Sequence, residues 1–260
     1  DGGMFLCQLD AATGKQLNVA ELVVDEKKRD GGFASGGYLP DVLSADGESI
    51  FLRVARFDRA LARQPDNVPH LWSSVGFLDD SWWHRTYWQV GTRMGSGWGS
   101  WPNTGMTAPV GRIIVHDGET IYGFRRSRYH RDGSHVGMGP MHYLLYARSW
   151  PKKPGAAATT WTTRIPLLAR AMVLAGDQLF VAGPPDLFVQ VPVDGKHPYT
   201  YASDEDLEKQ EAAFAGKKGG VLQVLSTADG TPLARVTVRG RYKPDVCRAY
   251  LGFRIVRQVQ

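Results

Sequence analysis

The residues richest in usable chemistry stand close together: Asp79, Asp80, Trp82, Trp83, His84, Arg85, Tyr87 and Trp88 in one run, with Trp98 and Trp101 just beyond. Five of the eight tryptophans fall in this stretch, beside two carboxylates, an imidazole and a guanidinium. Rigid aromatic faces flanked by charged groups are what a sugar, a quinone or another planar ligand stacks and hydrogen-bonds against. The same composition suits a long insert that anchors itself over a sheet with tryptophans, although the run is too polar for a plain core plug. Asp79 and Asp80 read as a cation site or an acid/base pair only if the backbone turns there. On an extended segment neighbouring side chains point opposite ways, which favours exposed turn carboxylates or a cap. His130, His135 and His142 lack zinc-type spacing and share their segment with Arg128, Arg131 and Gly133, so it reads as a solvated loop. Cys7 and Cys247 stand too far apart in sequence to define a metal site or a disulfide framework.

What positions these residues is a repeated hairpin. In Gly111 to Arg126, GRIIVHDGETIYGFRR, two apolar-alternating strands flank Asp117-Gly118, the turn pair of a β-hairpin. SADGESIFL (Ser44 to Leu52) matches it almost letter for letter, and Ala175 to Phe180 falls on the same frame. Three copies of one hairpin predict a repeat architecture. Further turn dipeptides at Thr13-Gly14, Asp132-Gly133, Asp194-Gly195 and Asp229-Gly230 are all-β punctuation. One helix is expected, Asp204 to Ala215. Ser203 caps it, Asp204, Glu205 and Asp206 suit its positive end, Gly216 stops it, and Leu207, Ala212 and Phe214 are too few for a core face.

Bulk properties exclude some functions. The net charge of +5 comes largely from the tail, and the other basic residues are interleaved with acids or set in loops, so no nucleic-acid face is expected. No apolar run has the roughly 18 to 20 residues of a transmembrane helix. Residue 1 is Asp, and Phe5 to Leu9 already reads as a strand, so a fragment or processed product of a longer chain is expected.

Two features carry a family resemblance. Leu9-Asp10-Ala11-Ala12-Thr13-Gly14-Lys15 follows an alternating strand, with a degenerate copy at Val221 to Ala234. The blocks LPDVLSADGESIFLR, GFLDDSWWHRTYW, APVGRIIVHDGETIYGF, RAMVLAGDQLFVAGPPD and KKGGVLQVLSTADG then follow in order. This series resembles the pyrroloquinoline-quinone-like (PQQ-like, quinoprotein alcohol dehydrogenase-like) β-propeller repeats of large bacterial envelope proteins, over roughly residues 3 to 234.

The resemblance implies an all-β fold: a partial, WD40-like β-propeller of about four four-stranded blades in one domain, 1–238, with inserts at 58–109 and 184–218 and an atypical tail at 239–260. Met4 to Val24 would be the outer pair of one blade, and Leu39 to Phe57 the inner hairpin of the next. Val110 to Arg126 would open a third blade, closed by Tyr143 to Arg148 and Trp161 to Ile165. Ala169 to Gly183 would open a fourth, closed by Val221 to Leu225 and Leu233 to Val238. Copies lie roughly 60 to 70 residues apart where a blade takes about 40 to 45, which is why inserts are expected.

The role so implied is a non-catalytic binding or scaffold domain of a periplasmic or extracellular protein. Its partners would be the remaining blades and a protein, polysaccharide or small-molecule ligand, with no cofactor. The alternative is a quinoprotein oxidoreductase of alcohols or sugars using PQQ and calcium; the vicinal Cys-Cys pair of such enzymes is missing here. A polysaccharide-acting enzyme would need two carboxylates facing across a groove.

Overall fold

The computed structural model describes residues 4–23, 42–52, 55–65, 68–73, 88–92, 108–126, 143–152, 158–187 and 203–238. These are all-β, in several antiparallel sheets with one short helix. The first sheet pairs β1 (Phe5–Leu9) with β2 (Gln16–Glu21). The second runs in chain order through β3 (Leu43–Ala45), β4 (Ile50–Leu52), β5 (Ala55–Phe57) and β6 (Arg63–Gln64). The third holds β7 (His70–Ser73), β8 (Trp88–Gly91) and β9 (Val110–Gly111). The fourth is β10 (Ile113–His116), β11 (Thr120–Arg126), β12 (Tyr143–Ser149) and β13 (Thr159–Thr163). The fifth is β14 (Ala171–Ala175), β15 (Gln178–Gly183), β16 (Gly220–Ser226) and β17 (Pro232–Val238).

The three hairpins of the sequence frame are β3–β4, β10–β11 and β14–β15, each the first pair of its sheet. Asp46 Oδ1 accepts from the N–H of Glu48 (3.1 Å) and Ser49 (2.8 Å), and Asp117 Oδ1 from Glu119 (2.9 Å) and Thr120 (2.7 Å). The glycine between has φ of +90° at Gly47 and +94° at Gly118, where a Cβ would be strained.

The third and fourth strands repeat a second device. Asp10 after β1, Asp58 after β5, Ser149 at the end of β12 and Ser226 at the end of β16 each accept an N–H of the following loop on a side-chain oxygen. Three of these hairpins carry a β-bulge at one position: the pairing jumps from Gln8/Asn18 to Leu9/Gln16, from Ala147/Trp161 to Arg148/Thr159, and from Val224/Ala234 to Leu225/Pro232. The skipped residues are Leu17, Thr160 and Leu233, all exposed. By register β1 and β2 align with β12 and β13 and with β16 and β17, and Leu9 to Lys15 does carry the turn of a hairpin; among the described residues the sheet holds these two strands.

The structure differs from expectation at residues 58–109. Part of that segment is sheet: Arg63–Gln64 completes the second sheet, and β7 to β9 form a separate one. The wide spacing between Asp46 and Asp117 therefore holds an additional sheet. In the segment 184–218, α1 (Asp204–Phe214) starts as expected, with Ser203 Oγ accepting from Asp206 N–H at 3.2 Å. The helix buries Gln210 and Ala213 rather than Leu207 or Phe214. Gln210 accepts from Leu187 N–H (2.9 Å) and donates to the Pro185 carbonyl (3.2 Å), tying the helix to the chain leaving β15. The tail 239–260 lies outside the described residues.

Consecutive sheets pack face to face. Leu6 and Leu22 of the first enclose a core with Leu52, Ala55, Phe57 and Leu61 of the second. Tyr122, Phe124, Leu145 and Trp161 of the fourth do so with Leu179, Val181, Val221 and Leu225 of the fifth. The polar contact is also shared. Asn18, next after the bulge, donates Nδ2–H to the Ala60 carbonyl in the second sheet's outer turn (2.7 Å). Trp161, at the same frame position, donates Nε1–H to the Thr227 carbonyl in the fifth sheet's outer turn (2.9 Å).

Three turn aspartates couple this fold to acid. The Thr13 hydroxyl and the Thr13 and Ala12 N–H groups hold Asp10 below its ordinary value, and the Thr231 N–H and hydroxyl do the same for Asp229. Partial burial would raise Asp117, but the Thr120 and Glu119 N–H groups outweigh it and the net shift is downward. Because the folded-state values lie below the unfolded ones, this stabilisation is complete above the ordinary value of 3.8 and is lost as pH falls through the lowered values. Urea midpoints should therefore be flat near neutrality and fall below about pH 4. A triple Asp→Asn variant at 10, 117 and 229 keeps the acceptor oxygens and should show a shallower acid decline. An identical decline would remove these groups from the acid response.

Candidate functional site

The aromatic candidates are carried by the third sheet. In its register Ser73 faces Trp88, Trp88 faces Gly111, and His70 faces Gly91. The chain thus leaves for 74–87 and returns at the Ser73/Trp88 end, whereas 93–107 begins beyond Gly91, at the other end of β8. Asp79, Asp80, Trp82, Trp83, His84, Arg85 and Tyr87 belong to the first of these segments, Trp98 and Trp101 to the second. All nine lie outside the described residues, as do His130, His135 and His142. The points from which the two groups are strung are separated by a four-residue strand, about 10 Å at 3.3 Å per residue. Trp88 alone of the ten candidates is described, and it is half-buried at the start of β8.

The third sheet itself is well packed. Trp72 and Val90 are fully buried, and Gln89 is nearly so. His70 is buried against Phe51 of the second sheet, rings stacked at 3.8 Å and 10°, with its Nδ1 2.8 Å from the Val68 carbonyl oxygen. Ser44 Oγ of β3 donates to the Leu71 carbonyl at 2.5 Å, so β7 is fastened to the sheet before it. His70 was not legible as a buried group, because a single histidine two residues before a tryptophan carries no spacing signal.

On its other side the third sheet meets a polar layer of the fourth. Tyr146 is buried, donates its hydroxyl to the Val110 carbonyl at 2.8 Å, and titrates above its ordinary value because of burial. The ring fits because its cross-strand partner is Gly123, where a Cβ would collide with it. Arg125 lies over the Tyr146 ring, 5.6 Å from its centroid. Arg148 is buried on the same face, and burial draws its guanidinium below the usual value, with Tyr146 and Arg125 acting in opposite directions. The cation–π contact of Arg125, which is half-buried, is worth about 0.5 to 2 kcal/mol.

Among the described residues no three His, Cys, Asp or Glu side chains converge to hold a metal ion. Cys7 is exposed on β1. Neither a family model, nor a curated protein sequence, nor a solved structure matches this chain.

Proposed function

We propose that the successive sheets are blades of a PQQ-like β-propeller and that the chain serves as a non-catalytic binding or scaffold domain of a larger secreted or envelope protein. The observation that carries this reading is the repeated junction: Asn18 to Ala60 and Trp161 to Thr227 join successive sheets at one frame position. At two junctions the first strands also neighbour one another, β3 beside β7 and β10 beside β14, as inner strands around a common axis would; between the third and fourth sheets β8 and β9 lie beside β10 and β11 instead. Ligand contact is assigned to 74–107, whose tryptophans and charges fall in the two segments that leave the third sheet at opposite ends of β8. A polysaccharide fits best, since its rings stack on tryptophan while its hydroxyls bond to Asp79, Asp80, His84 and Arg85.

A glycan array with the wild-type chain and with Trp82→Ala and Trp83→Ala tests the ligand. Saturable binding that drops at least tenfold in either variant supports the reading. Binding of no glycan, or unchanged binding in both variants, returns the segment to a structural role. Dye-linked alcohol oxidation after loading with PQQ and calcium would instead assign the chain to the quinoprotein oxidoreductases.

A further inference from the structure

The junction between the second and third sheets is polar where that between the fourth and fifth is apolar. Ser44, Phe51 and Arg56 stand opposite one another across β3, β4 and β5, so their side chains share one face. The His70 ring on Phe51 and the Ser44 hydroxyl on the Leu71 carbonyl show that this face meets the third sheet. Trp72, two residues beyond His70, belongs to the same face of β7, with Gln89 as its cross-strand partner. In the fourth sheet the counterpart of the Phe51/Arg56 pair is Tyr122/Ala147, inside the apolar core shared with the fifth. Packing of this kind therefore needs no cation at Arg56.

Two groups on this face call for an acceptor. Among the described residues, Trp72 carries a fully buried Nε1–H that meets none. Native structures rarely keep a buried donor in that condition. Arg56, half-buried, donates Nε–H to the buried Ser49 hydroxyl at 2.8 Å. That contact orients the guanidinium but, being with a neutral group, does not balance its charge.

We propose that this junction binds a small monovalent anion of chloride size, held by the Trp72 Nε1–H and the Arg56 guanidinium. Charge decides against water, which would accept from Trp72 without offsetting a half-buried guanidinium, whereas an anion does both. Burial sets the size. Phe51, His70, Trp72 and Gln89 are each at most 3% exposed, so the ion that joins them is small and Arg56 is its side of entry. Once bound, it fastens β5 to β7 by charge, whatever the segments 74–87 and 93–107 bind.

Chloride-35 NMR line broadening on the full chain, titrated at constant ionic strength with gluconate as the replacement anion, tests the site. Wild type should broaden the line saturably. Trp72→Phe keeps a ring and loses the N–H, Arg56→Gln loses the charge, and each should weaken the dissociation constant by about tenfold or more. Arg59→Gln, at an exposed arginine of the same sheet that bonds the Gly47 carbonyl, should leave it within about twofold. Arg56→Gln alters a half-buried side chain, so it decides the case should Trp72→Phe not fold. No saturable broadening in wild type, or broadening unchanged in Arg56→Gln, would overturn the anion site and leave the Trp72 donor to water. The glycan array has no bearing on this outcome, so the two readings fail separately.

Discussion

Gly183→Ala is expected to be the most damaging single methyl in the chain. A Cβ at this position would lie 2.8 Å from the Leu168 carbonyl carbon and closer still to its oxygen. Backbone, unlike the tip of a side chain, has no second rotamer to move into. Both segments are also held: Leu168 N–H donates to the Pro184 carbonyl (2.9 Å) and Arg170 N–H to the Ala182 carbonyl (2.8 Å). Relief requires parting the end of β15 from the 167–170 linker, where Leu167, Leu168 and Ala169 enter the core between the fourth and fifth sheets. Overpacking typically costs about 1 to 3 kcal/mol, and a backbone collision belongs at the upper end. At roughly 2 to 4 °C per kcal/mol for a chain of this size, melting should fall by about 6 to 12 °C. A melting temperature within 2 °C of wild type, or roughly so, would mean that the linker can yield.

The second large effect is expected at Trp161. Its ring closes the core between the fourth and fifth sheets, stands 6.0 Å from the Tyr122 ring at 41°, and lies under Gly230, where a Cβ would come within 2.7 Å of it. Truncation to alanine removes the ring and the hydrogen bond to the Thr227 carbonyl together, and should cost about 3 to 5 kcal/mol. Trp161→Phe keeps most of the ring and loses only the N–H, which should cost about 1 to 2 kcal/mol. Chemical denaturation of both variants separates the contributions. Should the two fall together, the hydrogen bond dominates; should Phe match wild type, the junction is apolar packing alone.

Local signals in the sequence were sufficient for the first-and-second-strand hairpins, because an Asp-Gly turn between alternating strands is specified within about ten residues. Leu9 to Lys15 and its degenerate copy marked the β1–β2 and β16–β17 hairpins for the same reason, and Ser203 marked the helix start. The second sheet's outer strands escaped notice because Ala55–Phe57 and Arg63–Gln64 are too short to show alternation. The third sheet escaped because its strands are separated by 74–87 and 93–107, each longer than the strands it joins. The residues by which the helix is tied down were not legible, because Gln210 is polar and its burial depends on two backbone partners far off in sequence. The candidate site was readable as composition, from residue types crowded between Asp79 and Trp101. Its division between the two ends of β8 was not, since that depends on which strand each segment leaves.

The extra residue at Leu17, Thr160 and Leu233 bears on how this protein behaves at high concentration. Each lies on the outermost strand of its sheet, and two are leucines more than half exposed. A straight strand displaying leucine at a rim would invite neighbouring molecules to add on and grow fibrils. The bulge kinks the rim and takes one residue out of ladder register, and Pro232 removes a donor at the start of β17, so such growth lacks a template. Straightening that kink by deleting Leu233 would exchange a soluble rim for an adhesive one.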